Sequence, residues 1–168
     1  MDEYNAAMLL LRVAFGLTMA AHGYAKVFKG GKLAGTAGWF GSIGMKPGVV
    51  HARLAAGTEI LAGLGLAVGL LTTFSAMGFV GLMLVAGYVV HRSNGFFIVS
   101  EGWEYTFILA VAAVAIAMLG PGEWSLDNAI GIDNDLDGWL GLAIAAGGGL
   151  AAGIGQLALF YRPPAASE

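Results

Sequence analysis

Residues 51–71 read HARLAAGTEILAGLGLAVGLL, an apolar run of membrane-crossing length that carries a carboxylate, Glu59, well inside it. An ionisable side chain at that depth costs at least about 2–3 kcal/mol on the most lenient insertion scale unless it is paired, so another part of the chain must face it. The residues one turn either side on the same face, Ala55, Ala56, Ala62 and Gly63, are all small, and small faces in lipid are where helices approach closely. Glu59 is therefore expected to point into a helical bundle, away from lipid.

The rest of the chain has the same character. Its 168 residues are 58% hydrophobic and 11% charged, with a mean hydropathy of +0.77, far too apolar for a soluble domain of this length. Apolar runs cover residues 6–25, 51–71, 74–90, about 105–119 and 139–160. Each is near the length that crosses a bilayer as a helix. The expected fold is an all-α membrane protein, a four-helix transmembrane bundle with a fifth, Gly-rich transmembrane helix. A short interfacial helix is expected in the first loop, where Leu33, Ala37, Phe40 and Ile43 recur at roughly helical spacing beside Trp39. This divides the chain into a bundle over residues 1–128 and a segment 129–168 holding an acidic outer loop, the fifth helix and a short cytoplasmic tail. Asp2 and Glu3 stand where a signal peptide would carry lysines, so the N-terminus reads as an uncleaved first helix.

Five crossings place the two termini on opposite sides. Of the eight lysines and arginines, seven (Lys26, Lys29, Lys32, Lys46, Arg53, Arg92 and Arg162) then fall on one side, and the eighth, Arg12, lies inside the first helix. The other side carries Asp127, Asp133, Asp135 and Asp137. By the positive-inside rule the N-terminus is outside and the C-terminus cytoplasmic, in a bacterial inner membrane. The basic side suits anionic lipid headgroups and has too little area for nucleic acid.

Two groups are candidates to face Glu59. By helical rise, Glu59 lies roughly 13 Å from the cytoplasmic end of its helix, His22 roughly 5–8 Å and Arg12 about 20 Å. Either His22 or the long Arg12 reaches Glu59 if the first two long helices are neighbours; alternatively Arg12 snorkels outward to Asp127. The functional reading is a polar pocket of Arg12, His22, Lys26, Glu59, His91, Asn94 and Glu104, in which carboxylate and imidazoles hydrogen-bond a quinone oxygen or pass protons. The structural reading is a set of satisfied pairs, with Lys26 and Arg92 as interface anchors. Haem is disfavoured, because three histidines near helix ends do not make an axial-ligand pattern. No ligand set has metal spacing. The absence of cysteine excludes thiolate chemistry on this chain, so any such redox centre belongs to a partner. The seven methionines read as packing.

The fifth run has Gly149 and Gly153 in a GxxxG pattern, with Gly147, Ala151 and Gly155 forming a parallel small row. Such a helix packs closely either on its own bundle or on another membrane subunit, and the pattern alone does not choose.

In order, LLLRVAFGLTMAAHGYAK, a Gly-Met-Lys-Pro connection, AAGTEILAGLGLAVGLLT, HRSNGFF, EGWEY and GPGEWSLD together resemble the DoxX family of bacterial membrane proteins over residues 9–127. The resemblance implies a four-helix membrane bundle associated with redox chemistry. Relatives of that family include the membrane subunit of a thiosulfate:quinone oxidoreductase and a mycobacterial protein that assembles with a superoxide dismutase and a sulfurtransferase. By motif it carries over Arg12, His22, Gly23, Lys26, Glu59, His91, Gly95, Phe96, Glu104, Gly120, Ser125 and Asp127. Two functional expectations follow: a quinone-interacting component of a redox or respiratory membrane complex, or a non-catalytic accessory subunit docking through its fifth helix.

Overall fold

A computed structural model describes residues 2–164. The element order is α1 (Asp2–Phe28), α2 (Lys32–Ser42), α3 (Gly48–Val68), α4 (Thr72–Ala86), α5 (Glu104–Leu119), α6 (Leu126–Ala129), α7 (Gly138–Leu142) and α8 (Gly149–Phe160). A π turn, Gly87–His91, and a 3-10 turn, Arg92–Asn94, extend α4. A second π turn, Ala143–Gly148, fuses α7 to α8.

Among the described residues the fold is all-α, and four helical stretches are long and apolar enough to cross a bilayer: Asp2–Phe28, Gly48–Val68, Thr72–Asn94 and Gly138–Phe160. The remaining apolar helix, α5, has 16 residues, about 24 Å of rise, and falls short of a hydrocarbon core of about 30 Å. Four long helices and one shorter one therefore stand where five similar crossings were expected. The first loop does contain a helix, α2, and Phe40, Leu33, Ala37 and Ile43 all turn into one apolar cluster with Met45, Ala52, Ala55 and Val85.

Helix ends differ from the apolar runs for identifiable reasons. α3 begins three residues before His51, after an extended Pro47, and stops at Gly69. Gly69 takes φ +67, and the amides of Gly69 and Leu70 bond back to Leu66 and Gly65 at 3.1 and 2.8 Å. This is a left-handed glycine cap. Leu70 and Leu71, apolar enough to read as helix, belong to the turn into α4.

α1 and α3 cross through glycine. A Cβ on Gly16 would lie 2.4 Å from the Gly63 carbonyl oxygen, and one on Gly63 2.7 Å from the Ala20 amide nitrogen. That close approach is what small residues permit in lipid. α4 lies at the centre, packed on α3, α5 and α8. The core between them holds Met8, Met19, Leu66, Phe79, Met83 and Ile116, with methionine filling gaps as its flexible side chain allows. Beyond α8 the chain latches onto the loop before α3: Met45 and Tyr161 form an antiparallel bridge, with Arg162 N to Gly44 O at 2.8 Å and Lys46 N to Phe160 O at 3.1 Å.

Candidate functional site

The partner of Glu59 is Lys26. Gly23 brings α1 onto α3 so tightly that a Cβ there would sit 2.7 Å from Ile60 Cγ1 and 2.9 Å from Glu59 Cβ. Lys26, nearly one turn further on, reaches back along this contact and its Nζ meets Glu59 Oε1 at 2.7 Å. The carboxylate side chain is 7% exposed and the lysine 24%. The expectation that Arg12 or His22 would pair with Glu59 is corrected here, and the reason is helix length. α1 runs to Phe28, so Lys26 is part of the helix and sits above Glu59. Arg12 is fourteen residues back, about 21 Å along the axis. His22 stands close enough to act on the carboxylate electrostatically. Glu59 Oε2 is buried and has no hydrogen-bond partner among the described residues.

Two cavities meet at this pair. One, of about 310 Å³, lies between α1, α4 and α5 and is lined by Phe15, His22, Lys26, Glu59, His91 and Tyr105 among others. The second, of about 230 Å³, lies between α2, α3, α4 and α8, and it shares Lys26, Glu59 and Trp39 with the first. Either exceeds the roughly 150 Å³ that accepts a benzene ring. His22, Lys26, Glu59 and His91, four of the seven pocket candidates, are thus brought to one place. His91 sits in the π turn that ends the α4 stretch, a distortion frequent at functional sites. Its Nδ1 donates to the Glu101 carbonyl at 2.8 Å.

Asn94, Glu104 and Arg12 have other surroundings. Asn94 is exposed and donates to the Glu101 carbonyl at 3.3 Å, while Glu104 Oε2 accepts the Ile98 amide at 2.8 Å. Both pin the loop between α4 and α5 and are absent from the lining of either cavity. Arg12, fully buried, lies at the opposite end of the bundle, where its Nη2 donates to the Trp124 carbonyl at 2.5 Å. It feels the charge of Asp127 there, which is the second of the two placements open to it from sequence. Asp127 accepts the Leu71 and Thr72 amides at 2.7 and 2.9 Å, capping the start of α4. Asn5 and Glu123 bond reciprocally, side chain to side chain at 3.0 Å and amide to side chain at 2.9 Å.

The glycine row expected to dock a partner divides. A Cβ on Gly149 would lie 2.6 Å from Val80 Cβ and one on Gly153 2.8 Å from Leu84 Cδ2, so these two pack α8 on the chain's own α4. They are therefore not free for another subunit. Gly147 and Gly155 have open space around them. Sequence reading also missed His51, Thr58, Trp39 and Gln156 as cavity residues. The available signal was a histidine eight residues before Glu59 on the same helix; nothing local connects Gln156 to it, 105 positions away.

The DoxX family model matches residues 7–92, a shorter stretch than the 9–127 suggested by motifs. An uncharacterized protein of Haemophilus influenzae is 31% identical over 84 residues, which are 50% of this chain and 56% of that protein. The match thus spans little more than half of that relative's length. No solved structure matches. The matched stretch contains α1 from residue 7 onward, α2, α3 and α4 and all four residues gathered at the cavities, His22, Lys26, Glu59 and His91, and over half its length this chain belongs to the DoxX family.

Proposed function

We propose that the protein is a membrane component of a redox complex that holds a quinone-type ring at the Lys26–Glu59 pair. The observation that carries this reading is a buried carboxylate with one oxygen on Lys26 and the other unpartnered, bordering cavities of about 310 and 230 Å³. A carboxylate so placed accepts or returns a proton to a ligand oxygen, with the lysine ammonium and His22 donating hydrogen bonds beside it. Electrons reach the ring from a redox centre on another subunit, since the chain has no cysteine. α5 completes the bundle as a short crossing over which the bilayer thins locally, α2 lies at the interface, and segment 129–168 is an addition to a core over 1–128. The basic end faces the cytoplasm of a bacterial cell, following the lysine and arginine bias.

The test is purification of the full chain in mild detergent, with native mass spectrometry and an optical spectrum of what accompanies it. The expected result is a bound quinone, reduced at least tenfold in occupancy by Glu59→Gln or His22→Ala. A second reading, a non-catalytic accessory subunit, is favoured by the open Gly147 and exposed Ala151 on the outer face of the last helix. A stoichiometric complex with other subunits, without quinone, unchanged by those substitutions and broken by Gly147→Leu, establishes that reading instead.

A further inference from the structure

The second cavity has a polar end of its own, away from the Lys26–Glu59 pair. His51 is 1% exposed and lines this cavity together with Gln156 of α8. Its ring is wedged beside Phe160 at 5.1 Å and Phe40 at 6.4 Å between centroids. Gln156 Nε2 meets His51 Nδ1 at 2.9 Å. An amide nitrogen only donates, so Nδ1 accepts, and a neutral imidazole that accepts at Nδ1 carries its proton on Nε2. That Nε2 is buried and has no partner among the described residues. A buried donor left unmade is unfavourable, and at a residue that lines a cavity a ligand or an ordered water can supply the acceptor.

We propose that His51 Nε2–H is the recognition donor of a second binding site, in the cavity between α2, α3, α4 and α8, for an uncharged, ring-sized, mostly apolar molecule bearing a carbonyl oxygen. The size follows from about 230 Å³, against roughly 150 Å³ for a benzene ring. The lack of charge follows from a neutral imidazole and from Lys26 and Glu59 already neutralising each other at the other end. The carbonyl follows from a donor that lacks only an acceptor. Gln156 is a positioning residue: it sets the tautomer and touches no ligand atom. Because Gln156, Ala152 and Gly153 all belong to the last helix, this site is completed by the part of the chain outside the family match over residues 7–92. It goes beyond the quinone reading and does not depend on it.

The test uses the full chain, ¹⁵N-labelled at its three histidines, in phosphatidylcholine nanodiscs, with His22→Asn and His91→Asn assigning the signals. The probes are acetophenone and ethylbenzene, which have nearly the same shape and differ in the carbonyl. The free protein is expected to show the Nε2–H tautomer at His51. Acetophenone is expected to shift Nε2 and to bind about tenfold tighter than ethylbenzene, the worth of one hydrogen bond of this kind. Gln156→Leu keeps the imidazole but frees its tautomer, and it narrows that preference; His51→Phe removes it. His22→Ala, at a residue that lines only the other cavity, leaves it unchanged, so loss of quinone in that variant bears on the proposed function alone. An Nδ1–H tautomer in the free protein, equal binding of the two probes, no binding of either, or a preference that survives His51→Phe overturns the proposal.

Discussion

The two ends of the bundle use their buried polar groups differently. At the end where α1 begins, side chains are used as staples. Asn5 and Glu123 satisfy each other, Asp127 takes two amides of the turn into α4, and Arg12 holds the Trp124 carbonyl. Tyr4 likewise donates to the Leu119 carbonyl across the bundle. At the end where α1 finishes, Lys26, Glu59, His22, His91 and His51 gather around two interhelical cavities; buried atoms without a partner among the described residues occur at both ends, Glu59 Oε2 and His51 Nε2 here, Arg12 Nε and Nη1 and Thr72 Oγ1 at the other. At the first end the side chains bond across loops and to one another, around a cavity of about 350 Å³; at the second an ion pair and imidazoles line the spaces between helices. Charge alone does not separate the two cases, since both ends hold a buried acid and a buried or half-buried base.

The sharpest way to break this contrast is at the ion pair. Lys26→Met leaves Glu59 buried without its counter-charge, which is expected to lower unfolding stability by about 3–5 kcal/mol. Adding Glu59→Gln to it is expected to recover most of that loss, as measured by reversible unfolding in mixed micelles. If the single variant is as stable as the parent, Glu59 is solvated through the cavities and the pair is not structural.

At the other end the effect is smaller and ligand-independent. Asp127→Asn keeps one acceptor oxygen and loses the other, leaving the Leu71 or the Thr72 amide unmet. The expected loss is about 1–3 kcal/mol, with faster hydrogen exchange at residues 70–73 and unchanged quinone occupancy. A drop in occupancy equal to that of Glu59→Gln would show that the two ends are coupled and the contrast false.

The smallest effect concerns the loop that carries Asn94. Glu104→Gln weakens one charge-assisted bond to the Ile98 amide on an exposed segment, and should cost about 1 kcal/mol or less. It is read as increased amide exchange confined to residues 96–101. Exchange that spreads to His91 would mean the loop helps hold the cavity in shape.

How much of this was legible beforehand depends on the range of the contact. That Glu59 needed a partner followed from one helix and its period, as did the inward face of its four small neighbours, of which Ala55, Ala56 and Gly63 are buried and Ala62 half-buried. That the partner is Lys26 did not follow, because the apolar run appeared to end at Ala25 and Lys26 looked like a headgroup anchor. Three more residues of α1 turn it inward. Gly149 and Gly153 were legible as a close-packing row, but not what they pack on, since a GxxxG stripe fits any smooth helix. His22 and His91, grouped from depth, line one cavity. His51 was seen only as a third histidine near the same end, because the cavity that makes it significant is closed by Gln156 from the far end of the chain.

By itself the sequence determined that this is a membrane helical protein, because burial of apolar side chains and backbone self-satisfaction in lipid leave no other solution for runs of that length. It also determined that a carboxylate sits inside the second run and must be faced. The tertiary structure alone decided which base faces it, which glycines meet which helix, and where volume remains between helices. Those outcomes depend on crossings such as Gly16 against Gly63 and on the latch of Tyr161 to Met45, contacts between residues distant in the chain that no local pattern encodes.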